Sequence, residues 1–180
     1  MLVILLVVVI DLIGFGIIIP FLPFYAESFG ASPQRVTMLM AIFSIAQFIA
    51  APFWGAMSDK FGRKVIICIT LMGSVIAYIF LSLASSLLTL FIARALAGFM
   101  AGNISTAQAY IADISTKENR TKAMGLFGAA FGIGFILGPA IGGILAGPDP
   151  ENPNTLYPPM FAALLSFIAL TLSLLFLKNS

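Results

Sequence analysis

Two ionisable residues stand inside stretches that are otherwise apolar, and they are the first candidates for chemistry. Asp11 interrupts the run Leu2–Tyr25, and Arg94 interrupts Leu87–Ile111. An ionisable side chain in a lipid-solvated span is costly and is a functional candidate by default. Asp11 sits nine residues into its run, about 13 Å deep at 1.5 Å per residue. Arg94 sits seven residues in from the opposite side, about 10 Å deep. In a hydrocarbon core of about 30 Å the two heights differ by roughly 6 or 7 Å, so both residues reach one cavity if their helices face it. There Asp11 is a carboxyl group able to load and release a proton, and Arg94 is a neighbour whose separation from it would tune that exchange. The structural alternative is an ion pair, or contacts from Arg94 to backbone carbonyls that lock helix packing. Other chemistries lack their parts. There is no His, and the one Cys, Cys68, excludes an intramolecular disulfide and a Cys-rich metal site. Cys68 reads as a small apolar filler.

The elements that must position these residues are membrane helices. Of 180 residues, 61% are hydrophobic and 9% charged, with a mean hydropathy of +1.10. Soluble domains carry about 25% charged residues, so a water-soluble globule and a disordered chain are both excluded. Six apolar segments are long enough to span a bilayer: about 2–25, 36–57, 65–83, 87–111, 123–146 and 160–177. The fold expected is all-α and polytopic, one six-helix transmembrane domain over residues 1–180.

The charges set the topology. Lys60, Arg63 and Lys64 lie in the connection SDKFGRK, Lys117, Arg120 and Lys122 in DISTKENRTK, and Lys178 after the sixth segment. The opposite side carries Arg35 alone. The positive-inside rule places both termini in the cytoplasm. The Pro- and Asn-rich stretch 147–159 is then an irregular outer cap. Residues 1–10 carry no basic residue, so the start is not a cleaved signal peptide, and its bare apolar character predicts a few further residues upstream.

Several uncharged features also point to a polar path. In the fourth segment Arg94, Gly98, Gly102, Ser105 and Ala109 share one face lined with small residues. Asn103, Thr106, Gln108 and Tyr110 add hydrogen-bonding groups, and Gln47 is an amide in the second segment. They suit a water-filled path for a polar or amphipathic molecule, or, alternatively, hydrogen bonds between packed helices. The fifth segment is dominated by glycine, with Gly134, Gly138 and Gly142 four apart and Pro139 beside them. That face suits either sliding or bending of one helix on another, or tight static packing. In the short connection between segments two and three, Gly62 supplies a positive φ for a tight turn, Asp59 can accept from neighbouring backbone amides or pair with Arg63, and Arg63 and Lys64 alternatively anchor at lipid headgroups. Asp113 and Glu118 are the acids available to pair with these bases from the other basic loop.

Together these residues resemble the major facilitator superfamily, and within it the drug:proton antiporters. Gly55-Ala-Met-Ser-Asp59-Lys-Phe-Gly62-Arg63-Lys64 resembles the signature G-x-x-x-D-x-x-G-R-[RK] between helices 2 and 3. Arg94-Ala-Leu-Ala-Gly98 resembles the helix 4 motif. Gly134-Phe-Ile-Leu-Gly138-Pro139-Ala-Ile-Gly142-Gly143 matches the antiporter motif G-x-x-x-G-P-x-x-G-G. The stretch from Asp11 to Pro23 resembles the helix 1 motif of the drug exporters, and Tyr110-Ile-Ala-Asp113-Ile is similar to tetracycline efflux proteins.

The resemblance implies a fold of inverted three-helix repeats forming the N-terminal half of a twelve-helix transporter. It implies that Gly55, Asp59, Gly62, Arg63, Lys64 and Asp113 form a cytoplasmic gating network stabilising the outward-open state. It assigns Asp11 and Arg94 to proton coupling, and Gly134, Gly138, Pro139, Gly142 and Gly143 to the interface with the second half. It places helices 1 and 4 on the central cavity and helices 3 and 6 outside. The expected function is proton-coupled efflux of a small amphipathic drug-like molecule such as tetracycline, by alternating access, with Gln47, Asn103 and Gln108 in the substrate cavity. No cofactor is expected beyond the coupling proton, and no metal. The expected partners are the lipid bilayer, the substrate, and either a C-terminal six-helix half or a second copy of the chain. Nucleic acid is not among them. The expected location is the bacterial inner membrane. A fragment of a longer gene product is the favoured account of the six-helix length, ahead of an excised piece. The alternative function is a half-sized protein that acts only as a dimer or with a partner half. An intramembrane enzyme is not expected, for want of His, an activated Cys or metal-ligand spacing.

Overall fold

The computed structural model describes residues 1–149 and 152–178. The described residues fold into seven helices: α1 (Leu2–Ser28), α2 (Pro33–Phe61), α3 (Arg63–Ser82), α4 (Leu87–Met100), α5 (Asn103–Asp113), α6 (Arg120–Ala146) and α7 (Tyr157–Phe176). Helix is the element that satisfies every backbone N–H and C=O within one segment, as lipid requires. Six spans result, because α4 and α5 together make one crossing, Leu87–Asp113.

Two sequence expectations are corrected here. The fourth segment is not one continuous helix: it breaks at Ala101–Gly102, for a reason set out below. The connection SDKFGRK is not a loop either. Residues through Phe61 remain helical and Gly62 alone turns the chain, with φ 94° and ψ 144°. That φ is open to glycine at little cost and to other residues rarely. The short turn keeps Asp59 and Arg63 within one side chain's reach.

α1 packs along α6 and α7, α3 along α7 and α4, and α2 along α4. Apolar residues from Ile4 to Leu12 form one core with Ile67, Leu71, Ile111 and Phe127 toward the basic end. Ile17 to Ala26 form a second with Leu39, Leu81, Leu90 and Ala162 toward the opposite end. The level between them holds the polar residues. Two buried hydroxyls return to their own helix: Thr70 donates to Ile66 O at 2.8 Å and Ser173 to Ala169 O at 2.8 Å. Such back-bonding satisfies a hydroxyl without a partner helix. The second and fifth spans are the most open, with Phe48 82% and Ile144 81% exposed.

Candidate functional site

A cavity of about 250 Å³ opens between the two cores. Five elements each give it a pair of residues four apart: Asp11 and Phe15 from α1, Phe43 and Gln47 from α2, Ser74 and Tyr78 from α3, Ala97 and Ala101 at the end of α4, Phe131 and Phe135 from α6. Residues i and i+4 lie one above the other on a helix face, so each helix presents two consecutive levels to the space. The walls are apolar with five aromatic rings among them and the polar groups fewer, a lining suited to an amphipathic guest. The third span, placed outside by the family resemblance, contributes here. Phe15, Phe43 and Tyr78 were not singled out from the sequence. The spacing of four from Asp11 and Gln47 is the signal that marks Phe15 and Phe43; Tyr78 has none, because Ser74 was not itself a candidate.

Asp11 is held by Asn103, whose Nδ2 donates to Oδ2 at 2.9 Å. Arg94 is buried, 3% exposed, and does not form an ion pair with Asp11 among the described residues. Its guanidinium lies over the Phe43 ring, 4.3 Å from the centroid, in a cation–π contact. Phe43 in turn stacks on Phe15 at 4.9 Å. Tyr78, buried on α3, lines the same cavity as Asp11 and Phe43. The two charges are thus linked through an aromatic layer. Arg94 Nε and Nη1, Asn103 Oδ1 and Thr106 Oγ1 are buried without a hydrogen-bond partner among the described residues.

The break in the fourth span aims Asn103 at Asp11. Gly98 and Gly102 let α2 approach so closely that a Cβ at Gly98 would lie 2.3 Å from Phe43 O, and one at Gly102 2.3 Å from the Trp54 ring. Trp54 Nε1 donates to Phe99 O at 2.7 Å, and Gln47 Nε2 donates to Ala101 O at 3.3 Å. Gln47 also lines a second, more open recess of about 390 Å³ between α2 and α5, where Ser105 and Gln108 lie. Asn103 sits behind the main cavity, in a narrow gap with Asp11 and Ala107. Of the three amides predicted for a substrate path, Gln47 and Gln108 share the open recess, Gln47 reaches the main cavity as well, and Asn103 stands apart from both.

At the basic end, Arg63 draws α2, α3 and α5 together. Its Nη1 meets Asp59 Oδ1 at 2.6 Å and its Nε meets Asp113 Oδ2 at 3.1 Å. Nη1 also donates to the buried Ser58 hydroxyl. Lys64 Nζ donates to Leu174 O at 2.9 Å, tying α3 to α7. Glu118 takes no part. Its own backbone N–H and the Thr116 hydroxyl hold its carboxyl below the usual range. Ion pairs with carboxylates this exposed are worth about 0–1 kcal/mol each. Arg63→Ala is accordingly expected to leave folding intact but expose the Ser58 level. In a Cys68→Ala, Ser58→Cys background, maleimide labelling from the basic side should rise about tenfold, as local opening replaces protection. Unchanged labelling would show that the clasp does not close that end.

The antiporter-motif glycines divide into two sets. A Cβ at Gly134 would lie 2.5 Å from Leu12 Cβ, at Gly138 2.6 Å from Gly16 Cα, and at Gly142 2.5 Å from Ile17 O. These three pack α6 on α1 within this domain, and α6 continues as helix through Pro139. Gly143 faces open space, as do Gly125, Gly128 and Gly132 on α6 and Gly55 on α2.

Six spans, five of them lining a mid-depth cavity with one carboxyl group, define a polytopic integral membrane protein. The chain belongs to the Major Facilitator Superfamily, whose family model matches residues 4–180. It is 35% identical to the class H tetracycline resistance protein of Pasteurella multocida over 99% of this chain and 44% of that protein. It is 36% identical to multidrug resistance protein 2 of Bacillus subtilis over 93% of this chain and 41% of that one. Among solved structures it resembles the human organic anion transporter MFSD10 (TETRAN), with a TM-score of 0.83 and 28% identity over 98% of this chain and 46% of that one. The chain thus spans less than half the length of these relatives.

Proposed function

We propose that this chain is the N-terminal half of a proton-coupled exporter of small amphipathic drug-like molecules, working by alternating access. The observation that carries this reading is the Asp11 carboxyl group on the wall of an aromatic-lined cavity at membrane depth. A carboxyl group there exchanges a proton, and the aromatic walls take a flat, partly apolar guest. The names of the relatives, tetracycline and multidrug resistance proteins, support the same substrate class. Competition between proton and substrate need not be direct. Asp11 touches Asn103, Asn103 begins α5, and α5 ends at Asp113 in the Arg63 clasp, so one short helix joins the cavity to the gate.

Export needs a second wall for the cavity. The glycine-bearing open faces of α2 and α6 suit close helix approach, and a C-terminal six-helix half or a second copy of the chain is the partner that fits them. Proteoliposomes with an imposed pH gradient test the function: they should accumulate tetracycline or a fluorescent planar cation when they contain this domain with its partner half, and not without the gradient. Gradient-independent uptake would overturn proton coupling.

The proposed topology follows the positive-inside rule, with both termini cytoplasmic, in a bacterial inner membrane. In the Cys68→Ala background, Ser115→Cys is expected to react with an impermeant maleimide only after cells are opened, and Thr155→Cys in intact spheroplasts. The reverse pattern would invert the topology.

A further inference from the structure

We infer that Trp54 and Gln47 of α2 are positioning residues that hold the fourth span broken and thereby set Asn103 against Asp11. The inference builds on the reading of Asp11 as the coupling carboxylate.

A break in a membrane helix exposes carbonyls that lipid cannot solvate, so it persists only where other donors meet them. Ala101 N–H turns back to Ala97 O at 2.9 Å and Gly98 O at 3.2 Å, ending α4. Two carbonyls at the break take a side-chain donor from α2: Phe99 O from the Trp54 indole and Ala101 O from the Gln47 amide. Gln47 and Trp54 are seven residues apart, hence two turns apart on one face of α2. Trp54 also fills the space a side chain at residue 102 would need, which is why the break falls at glycine. Phe99 and Phe53 pack against the indole at 5.5 Å and 5.0 Å between centroids and hold its N–H on line.

The residue that follows the break is Asn103, the first of α5 and the partner of Asp11. With the break in place, its Nδ2 reaches the carboxylate at 2.9 Å. If α2 moves away, the donors leave with it, and Asn103 turns with the rejoining helix. The other titratable or charged groups near Asp11 are Tyr78 on α3, which lines the same cavity, and Arg94 on α4, which rests on Phe43. The α2 clamp touches neither charge of that set. It acts on Asp11 through Asn103 alone.

Trp54→Phe removes the indole N–H and keeps an aromatic ring, and Gln47→Leu removes the second donor. Each is made in the full protein in lipid, beside Asn103→Ala. Amide hydrogen exchange of residues 102–105 is expected to accelerate at least about tenfold in Trp54→Phe, as it would for a terminus that has lost its cap. The infrared carboxyl band of Asp11, identified by its loss in Asp11→Asn, is expected to shift in Trp54→Phe as it does in Asn103→Ala. The double variant should shift no further, since both act on one bond. Unchanged exchange in Trp54→Phe overturns the clamp. Accelerated exchange with an unmoved Asp11 band overturns its link to Asp11. Should Trp54→Phe fail to fold, Gln47→Leu decides by the same two readings. Both are independent of transport, so gradient-driven efflux surviving Asp11→Asn would sink the proton-site reading and leave the clamp standing or falling on its own.

Discussion

Asp11→Asn is expected to reduce gradient-driven efflux to background while the protein inserts and folds in normal amounts. The substitution replaces a carboxyl group by an amide of the same shape. The amide oxygen can still accept from Asn103 Nδ2, so the contact between α1 and α5 survives. Only the ability to take up and release a proton is lost. A carboxylate at membrane depth costs free energy that the neutral amide does not, so the variant should melt no lower than the parent. Efflux down an imposed drug gradient should persist, because no proton is needed when the substrate gradient supplies the drive. Two measurements read this: uptake driven by a pH gradient in proteoliposomes, and exchange of labelled for unlabelled drug without one. Loss of both would mean that Asp11 serves binding or structure. Retention of gradient-driven uptake would remove it as the proton carrier.

Gly138→Val should be the most damaging glycine substitution in α6, and its damage should be to folding rather than to tightness against leak. A Cβ at residue 138 would lie 2.6 Å from Gly16 Cα, 2.7 Å from Gly16 C and 3.0 Å from Ile13 O. All three are backbone atoms of α1, and no rotamer change can move them. Overpacking a well-packed interior costs about 1–3 kcal/mol, occasionally more. With the backbone of the central helix in the way, we expect about 3 kcal/mol or more, seen as a fall in thermal midpoint and in membrane yield. Gly143→Val is the control. It lies five residues on in the same motif, in open space, and should leave the thermal midpoint of this domain unchanged. If Gly143 faces a partner half, the same variant should lose assembled transporter on gel filtration. Equal effects of both substitutions on the isolated domain would refute this division of the motif.

This division shows how a motif is legible in part. The spacing of Gly134, Gly138 and Gly142 predicts a face of close helix approach, and α6 uses it so. The sequence cannot say which helix approaches. The resemblance pointed to an interface with the second half, whereas three of the motif glycines meet α1 and only Gly143 is left facing outward. The fourth span is a similar case. Its apolar length predicts a crossing, and the chain does cross there, but the break at Ala101–Gly102 depends on donors that arrive from α2, about fifty residues away in sequence. Arg63 is the opposite case. Its pairing with Asp59 follows from the short turn at Gly62 between them, and Asp113 was already one of the acids available to it.

The sequence alone determined that the chain lives in lipid, how many times it crosses, and which charges sit at which level. Those properties follow from transfer free energy and helix rise, which depend on residue type and count. Only the tertiary structure decided that Asp11 meets Asn103 rather than Arg94, that Arg94 rests on Phe43, and that the third span helps line the cavity. Those outcomes depend on the rotation of each helix about its axis. In lipid, hydrophobicity is nearly uniform around a helix, so that rotation is set by small residues, aromatic contacts and buried hydrogen bonds between segments far apart in the chain.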